Sequence, residues 1–189
     1  MSRPPLSLKA RAIALLAQRE HSAVELRRKL MRVVRQRDRD AAVAAAASMA
    51  ALGTGAGTGA EVEAEADEVT DSRHKAAEEV DALLVWLQTQ GYLNEARFVE
   101  SRVHARAARH GNLRIRQELS QHGLALDASQ AQVLKDSEFE RARLIWQRKF
   151  GAEDPPTDAA ARAKQMRFLA GRGFSADVVR RLLRDPNGD

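Results

Sequence analysis

Arginine is the one residue type in this chain with both the copies and the order to do chemistry; the usual catalytic types are not arranged for it. His21, His74, His104, His110 and His122 show no metal-ligand spacing, and His104 and His110, six apart, fall on different faces of a helix. There is no H-E-x-x-H, Walker, nucleophile-elbow or kinase motif. Paired carboxylates occur mainly as Glu61, Glu63 and Glu65, in a low-complexity run that could not hold them in a cleft. A G-x-G-x-x-A pattern passes through Gly55, Gly57 and Ala60, but no strand precedes it, so a dinucleotide site is not expected. The chain is therefore expected not to be an enzyme and to hold neither metal nor cofactor.

The arginines are better organised. Of 31 basic residues 25 are arginine and 6 lysine, and the formal net charge is +5 with a pI near 10.1. Residues 36–75 hold 8 acidic and 4 basic side chains, which leaves 27 basic against 18 acidic elsewhere and concentrates the positive charge there. Arg102, Arg106 and Arg109 stand at i, i+4, i+7 on one helical stripe, while Val99, Val103 and Ala107 keep the same period on a neighbouring stripe facing a core. Arg114 and Arg116 occupy the first turns of the next helix, where cations oppose the macrodipole at a cost of a few tenths of a kcal/mol each. Something other than helix stability favours them. Arg27 and Arg28 with Lys29 form another cluster, and Arg180 with Arg181 a third. The planar guanidinium fork suits phosphate and carboxylate, so the pattern points to a polyanionic or acidic partner. For any one arginine the plain alternative is a solvated helix face tied by pairs such as Glu25 with Lys29 or Arg114 with Glu118.

The elements that must position these side chains read as helices. Positions 80, 83, 84 and 87 give one apolar face and Phe139, Ala142, Trp146 and Phe150 another, whereas period-two runs rich in Val, Ile and Thr are absent. Starts and stops predict nine helices, at about 8–20, 22–36, 76–90, 94–110, 112–122, 127–136, 138–150, 159–171 and 175–184, with Pro155 and Pro156 as breakers. A turn is written three times: Leu87 to Gly91, Leu119 to Gly123 and Leu169 to Gly173, each followed by an apolar residue (Tyr92, Leu124, Phe174) and a cap (Asn94, Asp127, Ser175). Glycine takes the left-handed conformation that closes a helix, the apolar residue packs back, and the polar one caps the next helix. A looser version uses Ser22 with Glu25 as a capping box.

Residues 37–75, alanine-rich, then glycine/threonine-rich, then acidic, cannot bury a side-chain core; the alanine run has only transient helix to offer, and the segment reads as a linker insertion. Without it the helices fall into three sets of 47, 44 and 48 residues. The expected organisation is a first repeat at 1–36 plus 76–93, a second at 94–137 and a third at 138–189. Each set is too short to be stable alone, so the expected fold is all-α, an elongated stack of three tandem three-helix repeats. No cysteine is present, no window approaches about 20 apolar residues, and Lys9 and Arg11 interrupt the first apolar run. A cytoplasmic, monomeric protein without a signal peptide or membrane span is expected.

Three stretches carry a family resemblance. "GYLNEARFVESRVHARAARHGNLRIRQELSQHGL", from Gly91 to Leu124, is similar to the signature of the RecX regulators of the bacterial recombinase RecA. "ALLAQREHSAVELRRKL" from Ala14 resembles that family's opening repeat and "RFLAGRGFSADVVRRLL" from Arg167 its closing one, so the match spans residues 8–184. The segment 37–75 departs from it, falling where most of the family has a short turn. The resemblance implies a non-catalytic modulator that binds the RecA–DNA filament, limits recombinase and co-protease activity, serves DNA repair and SOS control, and binds single- and double-stranded DNA weakly. Roles carry over only to basic residues inside matching motifs: Arg27, Arg28, Arg102, Arg106, Arg109, Arg114 and Arg116. The alternative reading is a general helical nucleic-acid-binding protein without a RecA-type partner; a third is a pure protein-interaction scaffold.

Overall fold

The computed structural model describes residues 6–51, 59–151 and 156–185, the side chains of 49, 50 and 59–70 excepted. Over that range the fold is all-α: α1 (Leu8–Gln18), α2 (Ala23–Ala51), α3 (Gly59–Thr89), α4 (Glu95–Ala107), α5 (Asn112–Ser120), α6 (Ala128–Asp136), α7 (Glu138–Phe150), α8 (Ala159–Gly171) and α9 (Ala176–Arg184). Two compact units meet in sequence between Asn94 and Glu95. Gly55, Gly57, Pro155 and the side chains of Glu61, Glu63 and Glu65 lie outside the described residues.

The first unit packs α1 on α2 and α2 on α3. Leu26, Leu30 and Val34 project from α2 at four-residue intervals against Val80, Leu84 and Leu87 of α3, with Ala12 of α1 closing the cluster. Both α2 and α3 outrun their expected ends at 36 and 76 and continue into the segment read as a linker. The reason is cooperative. Once buried leucines anchor a helix, each further alanine or glutamate adds a hydrogen bond without a new nucleation cost, and alanine has the best intrinsic propensity. Their described side chains at 39–48 and 71–75 are exposed and add nothing to the core.

The second unit holds two cores. Phe98, Val99, Ile115, Leu119 and Leu134 form one, among α4, α5 and α6. Ala142, Ile145, Trp146, Leu169, Phe174, Val179, Leu182 and Leu183 form the other, among α7, α8 and α9. Trp146 is fully enclosed, and its indole Nε1–H donates to Gln165 Oε1 at 2.8 Å, so neither buried polar group is left unpaired.

The three written turns close as left-handed caps, with φ of 73° at Gly91, 71° at Gly123 and 82° at Gly173. In two of them the residue after glycine donates back five residues and the glycine back three: Leu124 to Leu119 O with Gly123 to Ser120 O, and Phe174 to Leu169 O with Gly173 to Ala170 O. The first copy differs. Leu93 N–H donates to Leu87 O at 3.1 Å and Leu93 is buried to 3% exposure, while Tyr92, 47% exposed, stacks its ring on Trp86 at 5.9 Å. Asp127 makes the full capping box with Gln130, and Ser22 Oγ accepts from the Glu25 N–H at 3.1 Å. Ser175 does not cap its own helix with its side chain. Its hydroxyl turns instead to Glu138.

Candidate polyanion-binding surface

The arginine-bearing helices of the second unit are held by a polar lock at the start of α7. Glu138 is 3% exposed, and its Oε1 accepts the backbone N–H of Asn112 at 3.0 Å and of Ser175 at 3.2 Å, so one carboxylate serves the N-termini of both α5 and α9. Oε2 accepts from Ser175 Oγ at 3.1 Å. One turn on, Arg141 donates to the carbonyls of Ala107, His110 and Leu134 and to Asn112 Oδ1, gathering the ends of α4 and α6 around α7. Burial draws this guanidinium below its ordinary value, with Glu138 opposing. Backbone completes the lock: Gly111 N–H donates to Arg172 O at 2.9 Å and Leu113 N–H to Gly173 O at 3.0 Å. A Cβ on Gly111 would stand 2.3 Å from Gly173 O, and one on Gly173 would stand 2.6 Å from the Arg114 Cβ. Only glycine lets the two turns touch.

On this frame the predicted site residues divide. Arg102 lies over the Phe98 ring at 5.1 Å. Arg106 is tied by Nε to Glu118 Oε2 at 2.8 Å, and Arg114 approaches the same carboxylate at 3.7 Å, so Glu118 offsets part of their charge. Arg109 and Arg116 are exposed and have no ion-pair partner among the described residues. In the first unit Arg27 grips Asp81 with both forks, Nε–Oδ1 at 2.6 Å and Nη2–Oδ2 at 2.9 Å. That contact raises the Arg27 pKa and lowers that of Asp81, so Arg27 is engaged in joining α2 to α3. Its neighbour Arg28 is exposed and carries no such bond among the described residues.

Sequence reasoning missed the company Arg109 keeps. A shallow hollow of about 160 Å³ brings it beside Arg148 and Lys149 of α7 and Arg172 of the α8–α9 turn, around Phe168. Arg172 stacks 4.6 Å above the Phe168 ring and donates to Arg109 O at 3.2 Å. None of these four cations faces a carboxylate among the described residues. Next to them His110 sits below its ordinary pKa: burial is the main cause, Arg106, Arg114 and Arg172 push the same way, and only Glu118 opposes. A basic residue pair at the end of one helix and an arginine inside a glycine turn carry no periodic signal, which is why the spacing did not join them to Arg109.

His21, unremarkable in sequence, is buried in the first unit. It hydrogen-bonds Arg19 O through Nδ1 at 2.9 Å and Lys29 Nζ through Nε2 at 2.8 Å, which suits a neutral ring with its proton on Nδ1. Burial lowers its pKa accordingly. Glu25 beside it is pushed up by burial, yet hydrogen bonds and charge from Arg19, with His21 and Lys29, bring it down to about 2.

Comparison with known proteins decides the family. Residues 94–131 match the model of the RecX second three-helix domain and residues 136–183 that of the third. Curated relatives match along nearly the whole length. Regulatory protein RecX of Ralstonia pickettii (strain 12J) is 40% identical over 186 residues, covering 97% of this chain and 90% of its own. This chain belongs to the RecX family. Regulatory protein RecX of Leptothrix cholodnii is 42% identical, covering 97% of this chain and 91% of its own, and that of Ectopseudomonas mendocina 39%, covering 95% of each. The two matched RecX domains fall in the second unit, where α4, α5 and the start of α6 belong to one and α7 to α9 to the other. No described helix is long and apolar enough to cross a membrane.

Proposed function

We propose that this protein binds the RecA–DNA nucleoprotein filament and restrains it, lowering recombinase and co-protease activity in the cytoplasm as a non-catalytic monomer. The observation that carries the reading is the pairing of RecX membership with Arg109, Arg116, Arg148, Lys149 and Arg172, which have no acidic partner among the described residues. Charge-assisted bonds from such groups fit the phosphates and surface carboxylates of a nucleoprotein assembly. Arg102, Arg106 and Arg114 have intramolecular contacts to release or share, and so add less. Arg27 serves the fold first.

The test is RecA's single-strand-dependent ATP hydrolysis and strand exchange, with this protein added at sub-stoichiometric amounts. Both rates are expected to fall, and Arg109→Ala with Arg116→Ala is expected to raise the concentration needed by about tenfold, since each charge-assisted bond contributes roughly 1.5–3 kcal/mol and part is recovered by water. No change in either rate at any ratio of the wild-type protein would sink the proposal. Tighter binding to naked DNA than to the filament would instead favour a general nucleic-acid-binding protein, a reading supported by the pI near 10.1.

A further inference from the structure

The prolonged α2 carries the row of Arg28, Arg32 and Arg35, which lies within its expected span, one step further to Arg39, and the prolonged α3 brings Arg73 beside it. At 100° per residue, Arg28, Arg32, Arg35 and Arg39 project within an arc of about 60° along the helix, over an axial length of about 16 Å. The acidic residues of that stretch, Asp38 and Asp40, point roughly 90° or more away, and Arg37 points to the opposite side. Arg28, Arg32 and Arg35 are exposed and have neither hydrogen bond nor ion pair among the described residues.

Two hollows follow this row. One of about 570 Å³ is lined by Arg28, Arg32 and Arg35, and one of about 660 Å³, between α2 and α3, adds Arg39, Arg73 and His74. They share Arg35 and Met31, so they adjoin, and among the described residues no carboxylate lines either. The other flank of the same two helices is different. There Arg37 and Lys75 are interleaved with Asp71 and Glu79, and Lys75 is paired to Asp71 at 2.6 Å. Neutralised charge on one flank and, among the described residues, charge without a lining carboxylate on the other is not what a uniformly solvated arginine-rich surface gives.

We infer that the Arg28–Arg32–Arg35–Arg39 face of α2, with Arg73 of α3, is a site for the phosphodiester backbone of nucleic acid. A straight cationic row of this length spans about ten phosphate charges of a duplex. Among the described residues no Phe, Tyr or Trp ring on which bases could stack lines it, so the contacts are to backbone and independent of sequence. The site goes beyond the filament reading and needs no recombinase, so the two can fail separately.

The test is binding of the full chain to fluorescein-labelled duplex and single-stranded oligonucleotides of mixed sequence across a potassium chloride series, with poly-L-glutamate in parallel. Arg28→Ala, Arg32→Ala and Arg35→Ala together are expected to weaken binding and to reduce the salt slope by about 2.7 on duplex or about 2.1 on single strands. Whichever strand state loses its slope identifies the ligand form, and either supports the site. Arg37→Ala on the opposite side is expected to leave the slope unchanged. A glutamine triple serves in place of the alanine one if circular dichroism shows lost helix. Unchanged slopes, an equal drop for Arg37→Ala, or a loss confined to poly-L-glutamate would overturn the inference, the last of these assigning the face to acidic protein.

Discussion

Glu138 opens α7, yet its carboxylate works at the starts of two other helices, α5 and α9. Replacing it with alanine removes the oxygens that accept from the Asn112 and Ser175 N–H groups and from the Ser175 hydroxyl, in a buried place. Urea unfolding is expected to show a loss of about 1–3 kcal/mol, the usual cost of an unsatisfied buried group. An unchanged midpoint would mean that water replaces the lost contacts. Gly111→Ala acts at the same joint by a different cause, because the new Cβ would meet the Gly173 carbonyl at 2.3 Å, and a comparable loss is expected by the same measurement. Glu25 makes a pH-dependent contribution. Its folded pKa, about 2, lies below the ordinary 4.5. The Arg19 and Lys29 contacts therefore stabilise the fold fully above the unfolded value and lose that effect as pH falls from about 4.5 through about 2, at most about 3 kcal/mol. Glu25→Gln is expected to flatten the acid limb of a stability–pH curve within that window; a curve unchanged there would remove Glu25 from the account.

At the scale of elements, what the sequence made legible was whatever repeats locally. Helix ends from α4 to α9 fall within a few residues of their expected positions, because glycine, cap and apolar period are all local signals. Ser175 was misread for the opposite reason. Its hydroxyl answers Glu138 from 37 residues away, a contact no spacing announces; Tyr92 packs back on the helix before it, against Trp86. The site was legible to the same degree: spacing put Arg102, Arg106 and Arg109 on one stripe, but only packing shows that Glu118 and Phe98 occupy two of them and that α7 and α8 supply the other cations around Arg109. The long arms of α2 and α3 were missed because low complexity was equated with a linker, whereas alanine extends an anchored helix freely. Replacing 41–72 with a short turn is expected to leave the unfolding free energy from urea within about 1 kcal/mol, since among the described residues burial in α2 ends at Val34 and resumes at Ala76 in α3. A large loss would mean that the arms hold the first unit together.

For the whole molecule, the two units carry different parts of the charge. Residues 95–189 contain Arg102, Arg106, Arg109, Arg114 and Arg116 and both matched three-helix domains, while the α2 row belongs to residues 1–94. The second unit encloses two apolar clusters of its own, joined through Glu138, Arg141 and the glycine contact, so it is expected to unfold cooperatively without residues of the first. A chain of about 95 residues with such a core has an expected stability of roughly 5–14 kcal/mol. Expressed alone, 95–189 is expected to be helical by circular dichroism and to give one sigmoidal urea transition. On naked duplex it is expected to bind with a smaller salt slope than the full chain, because the α2 contacts are gone, while its effect on RecA's ATP hydrolysis persists at higher concentration. A fragment that unfolds gradually would show that the second unit borrows its order from the first. A fragment that folds but leaves hydrolysis untouched would place the decisive contacts on α1 to α3, and the arginines of α4 and α5 would then be surface charge.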